Sequence, residues 1–362
     1  MPALSRRPFL GIRVRPQPAG LRVTELHASA TAAQSGVRVD DVLVRVNGSS
    51  VRAAADLVRA LRVTPSSVLE VLRGGASLSL DVRPVPYPAE PGCTLGEVRV
   101  EVKGQSQRWR TLTTTAADTE WAVLFLGGIH VDSMERHGPL TPLGHVLSEL
   151  ARFAVTVRVE RGVGDSEGPG PDGIDFDTEH GAYERVIDEL HREGRKVLLL
   201  GHSIGGMHAP RLAAEARVVF GTSAARWSHC LRQSTRRQMR LRDPDADTES
   251  AEAHAVRFDT DALRERPAAF HTQLEALDLT ASWRACREPA RVLHGDYDWV
   301  VGREESEAIA AVAPHASFVP IDNTDHAFSK HASLEASLRD YGRGVPSQAV
   351  VDCIGALLAQ NP

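Results

Sequence analysis

The sequence predicts an α/β protein: a mostly parallel sheet with helices on both faces and a helical cap, preceded by a small α+β domain. Three observations carry this. Aliphatic runs at 121–126, 155–159, 197–200, 218–220, 290–294 and 317–321 are short and end in glycine or polar residues, the pattern of strands buried on both faces. Segments rich in Ala, Leu and Glu, such as 207–216 and 304–312, read as the helical crossovers that parallel strands require. Residues 9–85 differ, with short alternating strands, tight turns and one helix at 53–61.

At 362 residues the chain exceeds what one core usually supports, so two domains are expected. The boundaries read as 1–86, a Pro-rich connector at 87–93 that follows Pro84 and Pro86 and contains Pro88 and Pro91, and 94–362. A formal charge of −5 with no Lys/Arg block argues against nucleic acid. No apolar run reaches the length of a membrane span or follows the N-terminus as a signal peptide would, so the expected location is the cytoplasm. Cys93, Cys230, Cys286 and Cys353 are scattered singly, which predicts reduced packing residues and neither zinc nor a disulfide framework. No metal or cofactor is expected. Lysine occurs only at 103, 196 and 330 beside many arginines, which points to a GC-rich bacterial genome.

The strand at 197–200 runs into Gly201-His202-Ser203-Ile204-Gly205-Gly206. A serine on a strained strand-to-helix turn needs small flanking residues, and these glycines meet that demand. Serine is a poor nucleophile at neutral pH, so it needs an imidazole to take its proton and a carboxylate to orient that imidazole. The loop after 290–294 offers Asp296 and Asp298; Asp298 is chosen for its Gly-x-x-Asp spacing ahead of Val300-Val301, with Asp296 bracing the turn. The loop after 317–321 carries His326 as the general base. An oxyanion needs backbone N–H donors: Ile204 supplies one, and Ile129 or Gly128, in the Gly127-Gly128-Ile129-His130 loop, the other.

These motifs resemble the α/β-hydrolase superfamily from about residue 94 to the end, including the chain order Ser, Asp, His and an R-G-x-G-x-S loop at 161–166 read as scaffold. The Gly164-Asp165-Ser166 stretch also suggests a GDSL-type nucleophile, but such enzymes carry a D-x-x-H and Asn323 stands where that Asp belongs. The resemblance implies acyl transfer from an ester, thioester or amide to water through an acyl-Ser203 intermediate. About 70 residues between 220 and 292 are too long for a loop and imply the cap, about 223–288, with Trp227, Phe258, Phe270 and Trp283 as candidate pocket-lining residues.

Residues 9–85 closely resemble a bacterial PDZ domain. There, Leu10, Gly11 and Ile12 match the loop whose N–H groups capture a peptide C-terminus, the peptide adding as a strand. The expected function is therefore a serine hydrolase acting on a small-molecule or peptidyl acyl substrate, with the N-terminal domain recruiting a peptide or protein partner. Two alternatives stand beside it: an acyltransferase or cyclase of a natural-product pathway using the same serine, and a non-catalytic adaptor.

Overall fold

A computed structural model describes residues 3–27, 30–61, 66–114, 119–131, 141–257, 263 and 265–360. The chain divides into two compact units, Met1–Ala89 and Glu90–Pro362, so the division falls inside the 87–93 stretch.

In the first unit β1 (Pro8–Phe9), β2 (Ile12–Gln17), β3 (Gly20–Leu26), α1 (Thr31–Gln34), β4 (Val42–Val46), β5 (Ser49–Ser50), α2 (Ala54–Leu61), β6 (Ser67–Arg73), β7 (Ala76–Val82) and β8 (Val85–Pro86) follow one another. The sheet has the order β2-β3-β4-β6-β7, with β5 on β4 and β1 paired separately with β8. Strand alternation builds its core: in β3, Leu21 and Val23 turn inward while Arg22 and Thr24 face out, and Leu43, Val46, Leu69 and Val71 meet them. β2 is an edge strand and carries Pro16, whose missing N–H is tolerated where no neighbour needs it. The proline-rich stretch begins packed on this unit: the Tyr87 N–H donates to the Arg7 carbonyl at 2.8 Å, and its ring lies 3.8 Å beneath the Arg7 guanidinium.

The second unit is built on an eight-stranded sheet of β9 (Cys93–Val102), β10 (Gln105–Thr114), β11 (Trp121–Leu126), β12 (Val155–Val159), β13 (Lys196–His202), β14 (Ala216–Phe220), β15 (Ala290–Gly295) and β16 (Ala316–Ile321). Its order is β9-β10-β12-β11-β13-β14-β15-β16; β9 and β10 form an antiparallel hairpin, β10 meets β12 antiparallel, and the other pairings are parallel. The aliphatic runs are explained by burial on both faces. In β11, Ala122, Leu124 and Leu126 enter one core while Trp121, Val123 and Phe125 enter the other, and in β13 Val197 and Leu199 part from Leu198 and Leu200 in the same way. The edge strand β16 carries Pro320.

Helix α3 (Pro142–Leu150) packs on one face and α4 (Phe176–Arg192) on the other. Asp175 caps α4 by accepting from the Thr178 N–H at 2.9 Å. The helix expected over 207–216 is shorter and starts earlier: α5 (Ile204–His208) gives way to one 3₁₀ turn, Ala209–Arg211, and Leu212 is extended. Pro210 has no N–H to continue the α-helical ladder.

Between β14 and β15 lie the helices Trp227–Arg242, Glu249–Ala255, Ala268–Glu275 and Leu279–Ala285. Phe270 and Trp283 are completely buried in the core and Trp227 nearly so, with its Nε1–H donating to His271 Nδ1 at 3.0 Å. These three are core residues and not pocket lining; Phe258 lies outside the described residues. No helix among the described residues is long and apolar enough to cross a membrane.

Candidate active site

Ser203 sits between β13 and α5 with φ 55° and ψ −121°, a conformation that L-residues adopt only under constraint. The constraint is visible on both sides. The Ser203 N–H donates to the Phe220 carbonyl at 3.0 Å, and Gly205 presses so closely on β11 that a Cβ there falls 2.0 Å from the Leu126 oxygen. No residue but glycine fits at 205.

Two loops from neighbouring strand ends meet at the same edge. His326 Nδ1–H donates to Asp298 Oδ2 at 2.7 Å, and both side chains are buried. The other oxygen, Asp298 Oδ1, accepts from the N–H groups of Val300 and Val301, each at 2.9 Å. Burial pushes the Asp298 carboxyl up, but the attraction and hydrogen bond of His326, with His294 and the Val301 amide, outweigh it and hold the group below the usual carboxylate range. Asp298 is therefore an anion that fixes the imidazole with Nδ1 protonated and Nε2 left to accept. Asp296, the competing carboxylate, is exposed.

Further residues hold this arrangement. His202 Nε2–H donates to the His326 carbonyl at 2.7 Å, tying the residue before the serine to the histidine loop. Asp325 is wholly buried: Oδ1 accepts from the N–H groups of Ala327 and Ser329, and Oδ2 from His331 Nε2 and the Gly342 N–H, at 2.8–3.0 Å. Gly221, which follows β14 with φ 57°, lies so close that a Cβ falls 2.6 Å from His326 Nδ1 and 2.7 Å from Asp298 Oδ2. The only sequence signals for these three were position: His202 inside the glycine-flanked motif, Asp325 beside the histidine, and Gly221 at a strand end.

The loop after β11 abuts the serine, since a Cβ on Gly128 falls 3.5 Å from Ser203 Cβ. The Gly127 N–H is occupied by the Tyr183 hydroxyl at 3.2 Å. Arg161 donates through Nη1 to the Gly128 carbonyl at 2.9 Å and through Nη2 to the His130 carbonyl at 2.6 Å. Ser166 is used elsewhere: its Oγ donates to the Glu160 carbonyl and accepts from the Arg110 N–H, both at 2.8 Å, which makes the 161–168 loop scaffold and removes the GDSL-type alternative. In the first unit Leu10 is buried, Gly11 has φ 71°, and Ile12 opens the edge strand β2. Among the described residues no group of three or more His, Cys, Asp and Glu is placed to hold a metal ion.

The topology and the chemistry gathered at these strand ends define an α/β hydrolase. The Alpha/beta hydrolase family model matches residues 123–335, more than half the chain, and the chain belongs to that family. A PDZ domain model matches residues 8–83, and the first unit is a PDZ domain. Among solved structures, Est1E from Butyrivibrio proteoclasticus is 16% identical with a TM-score of 0.50, covering 73% of this chain and 98% of that one. The Pyrococcus furiosus esterase PF2001 is 14% identical with a TM-score of 0.51, covering 76% and 96%. Both likenesses are of fold. A curated relative, the "Probable periplasmic serine endoprotease DegP-like" of Pseudomonas putida (strain W619), is 26% identical over 149 residues, 38% of this chain and 31% of its own. The chain thus spans less than a third of that relative's length.

Proposed function

We propose that this enzyme cleaves an ester, thioester or amide through an acyl-enzyme on Ser203. Ser203 Oγ attacks the carbonyl carbon, His326 Nε2 takes the hydroxyl proton and returns it to the leaving group, and Asp298 holds the imidazole in the required tautomer. Water, deprotonated by the same imidazole, then releases the acid. The N–H groups of Ile204 and Ile129 carry the oxyanion, because the loop at 127–130 lies against Ser203.

The observation that supports this reading best is the buried 2.7 Å His326–Asp298 bond, tied through the His326 carbonyl to His202, the residue before a serine held at φ 55°. A fluorophosphonate probe should label wild-type protein and not Ser203→Ala. Folded wild type that resists the probe removes the reading. Assay against aryl esters, acyl thioesters and aminoacyl amides, with Ser203→Ala as control, then assigns the bond type.

The PDZ domain recruits a peptide C-terminus, carried by the substrate or by a partner. Support comes from the Leu10-Gly11-Ile12 loop leading into an open strand edge. Peptides with free C-termini should bind in fluorescence polarisation and their amidated forms should not. The four free thiols fit a reducing compartment, the cytoplasm.

A further inference from the structure

A buried ionic cluster links the cap to the loop beside Ser203. Arg161, which follows β12, donates through Nη1 to both oxygens of Glu179 at 3.1 Å while also gripping the Gly128 and His130 carbonyls. Glu179, in the first turn of α4 and wholly buried, accepts on Oε1 from Arg266 Nη2 at 2.6 Å. Arg266 belongs to the cap, just before the helix Ala268–Glu275, and its buried guanidinium stacks 4.0 Å from the Phe270 ring centre. Among the described residues its Nε and Nη1 have no hydrogen-bond partner, so its one directional bond is to Glu179. His208 also borders the cluster: its Nε2 lies 3.6 Å from Glu179 Oε2 and its ring stacks on Phe176. The adjacent cap residue, Glu265, reaches the same loop from outside through a 3.1 Å contact with His130 Nδ1.

The geometry of one peptide group gives this chain its consequence. In a trans peptide the C=O and the following N–H point in opposite directions. Fixing the Gly128 carbonyl on Arg161 therefore fixes the direction of the Ile129 N–H. Two cations share one carboxylate here, so loss of Arg266 does more than free Glu179 on one side. It releases the carboxylate from the geometry in which it holds Arg161.

We propose that Arg266 is a positioning residue that, through Glu179 and Arg161, orients the Ile129 amide toward the oxyanion, so that a seated cap is required for full transition-state stabilisation. This rests on the hydrolase reading above, with Ile129 as the oxyanion donor. It makes the cap a control on rate.

The test compares full-length wild type, Arg266→Gln and Arg266→Lys. Arg266→Gln should lower kcat for p-nitrophenyl butyrate by about ten- to a hundredfold with KM nearly unchanged, less than the complete loss of a donor. Phenylboronic acid, whose serine adduct is tetrahedral, should bind more weakly by the same factor as kcat/KM falls. Hydrogen exchange across 127–131 should rise in the same variant. Arg266→Lys, which keeps the cation but not the planar fork, should fall between the two and serves as the test if Arg266→Gln does not fold. Unchanged exchange across 127–131, or a loss confined to KM, overturns the proposal. The hydrolase reading fails separately, and takes the rate consequence with it, if the wild type resists the fluorophosphonate even though exchange responds to Arg266.

Discussion

Gly221 shows how a residue with no functional group can belong to a candidate active site. It stands against the histidine and its carboxylate, and its φ of 57° is one that a side chain resists. Gly221→Ala should displace the imidazole and lower kcat by about a hundredfold, with a smaller effect on KM, as steady-state kinetics will read. Asp298→Asn should lower kcat by about 10⁴-fold by allowing the wrong tautomer. Asp296→Asn should leave kcat near wild type, and a comparable loss there would reverse the assignment of the carboxylate. Ser203, Asp298 and His326 were legible as strand-end candidates because each follows a recognisable strand. Gly221 and Asp325 were not, because what they touch is decided by how distant loops meet. Glu179 and Arg266 were hidden for the same reason, and in sequence Arg161 reads only as the start of a scaffold loop.

At the level of elements, legibility followed burial. β11 and the Val197–Leu200 run of β13 are covered on both faces, so every position there is apolar and the strands stood out as unbroken runs. The Ala and Leu content of 207–216 suggests a helix running through Pro210, which local chemistry forbids, so α5 ends before it. The cap aromatics read as pocket lining because apolar periodicity marks a buried face without saying what lies on it. The packing of α5 on β11 gives the element-scale prediction. Gly205→Ala pushes a methyl group into the Leu126 carbonyl and should destabilise the fold by about 3 kcal/mol, measured by urea unfolding followed by circular dichroism.

For the molecule as a whole, buried histidines set the response to acid. Burial lowers the pKa of His180, to about 3, and also lowers those of His208, His271 and His294. In the unfolded chain these groups take up protons near pH 6.5, so below that value the unfolded state binds more protons and stability falls with pH. Glu179 and Asp298, both held below the ordinary carboxylate range in the fold against the effect of burial, extend the loss below about pH 4.5. The melting temperature should be level above pH 7 and drop steadily from 6.5 downward. A constant value between pH 7 and 5 contradicts this account of the histidines. A separate safeguard lies at the borders of the two sheets. Pro16, at the end of β2 away from the Leu10-Gly11-Ile12 loop proposed to take a peptide, and Pro320 deny a ladder donor to any second copy that tries to lengthen β2 or β16 along its whole length, so each discourages the cross-molecule pairing through which exposed strands seed fibres. Valine at both positions should make concentrated solutions scatter light, while dilute protein keeps its activity.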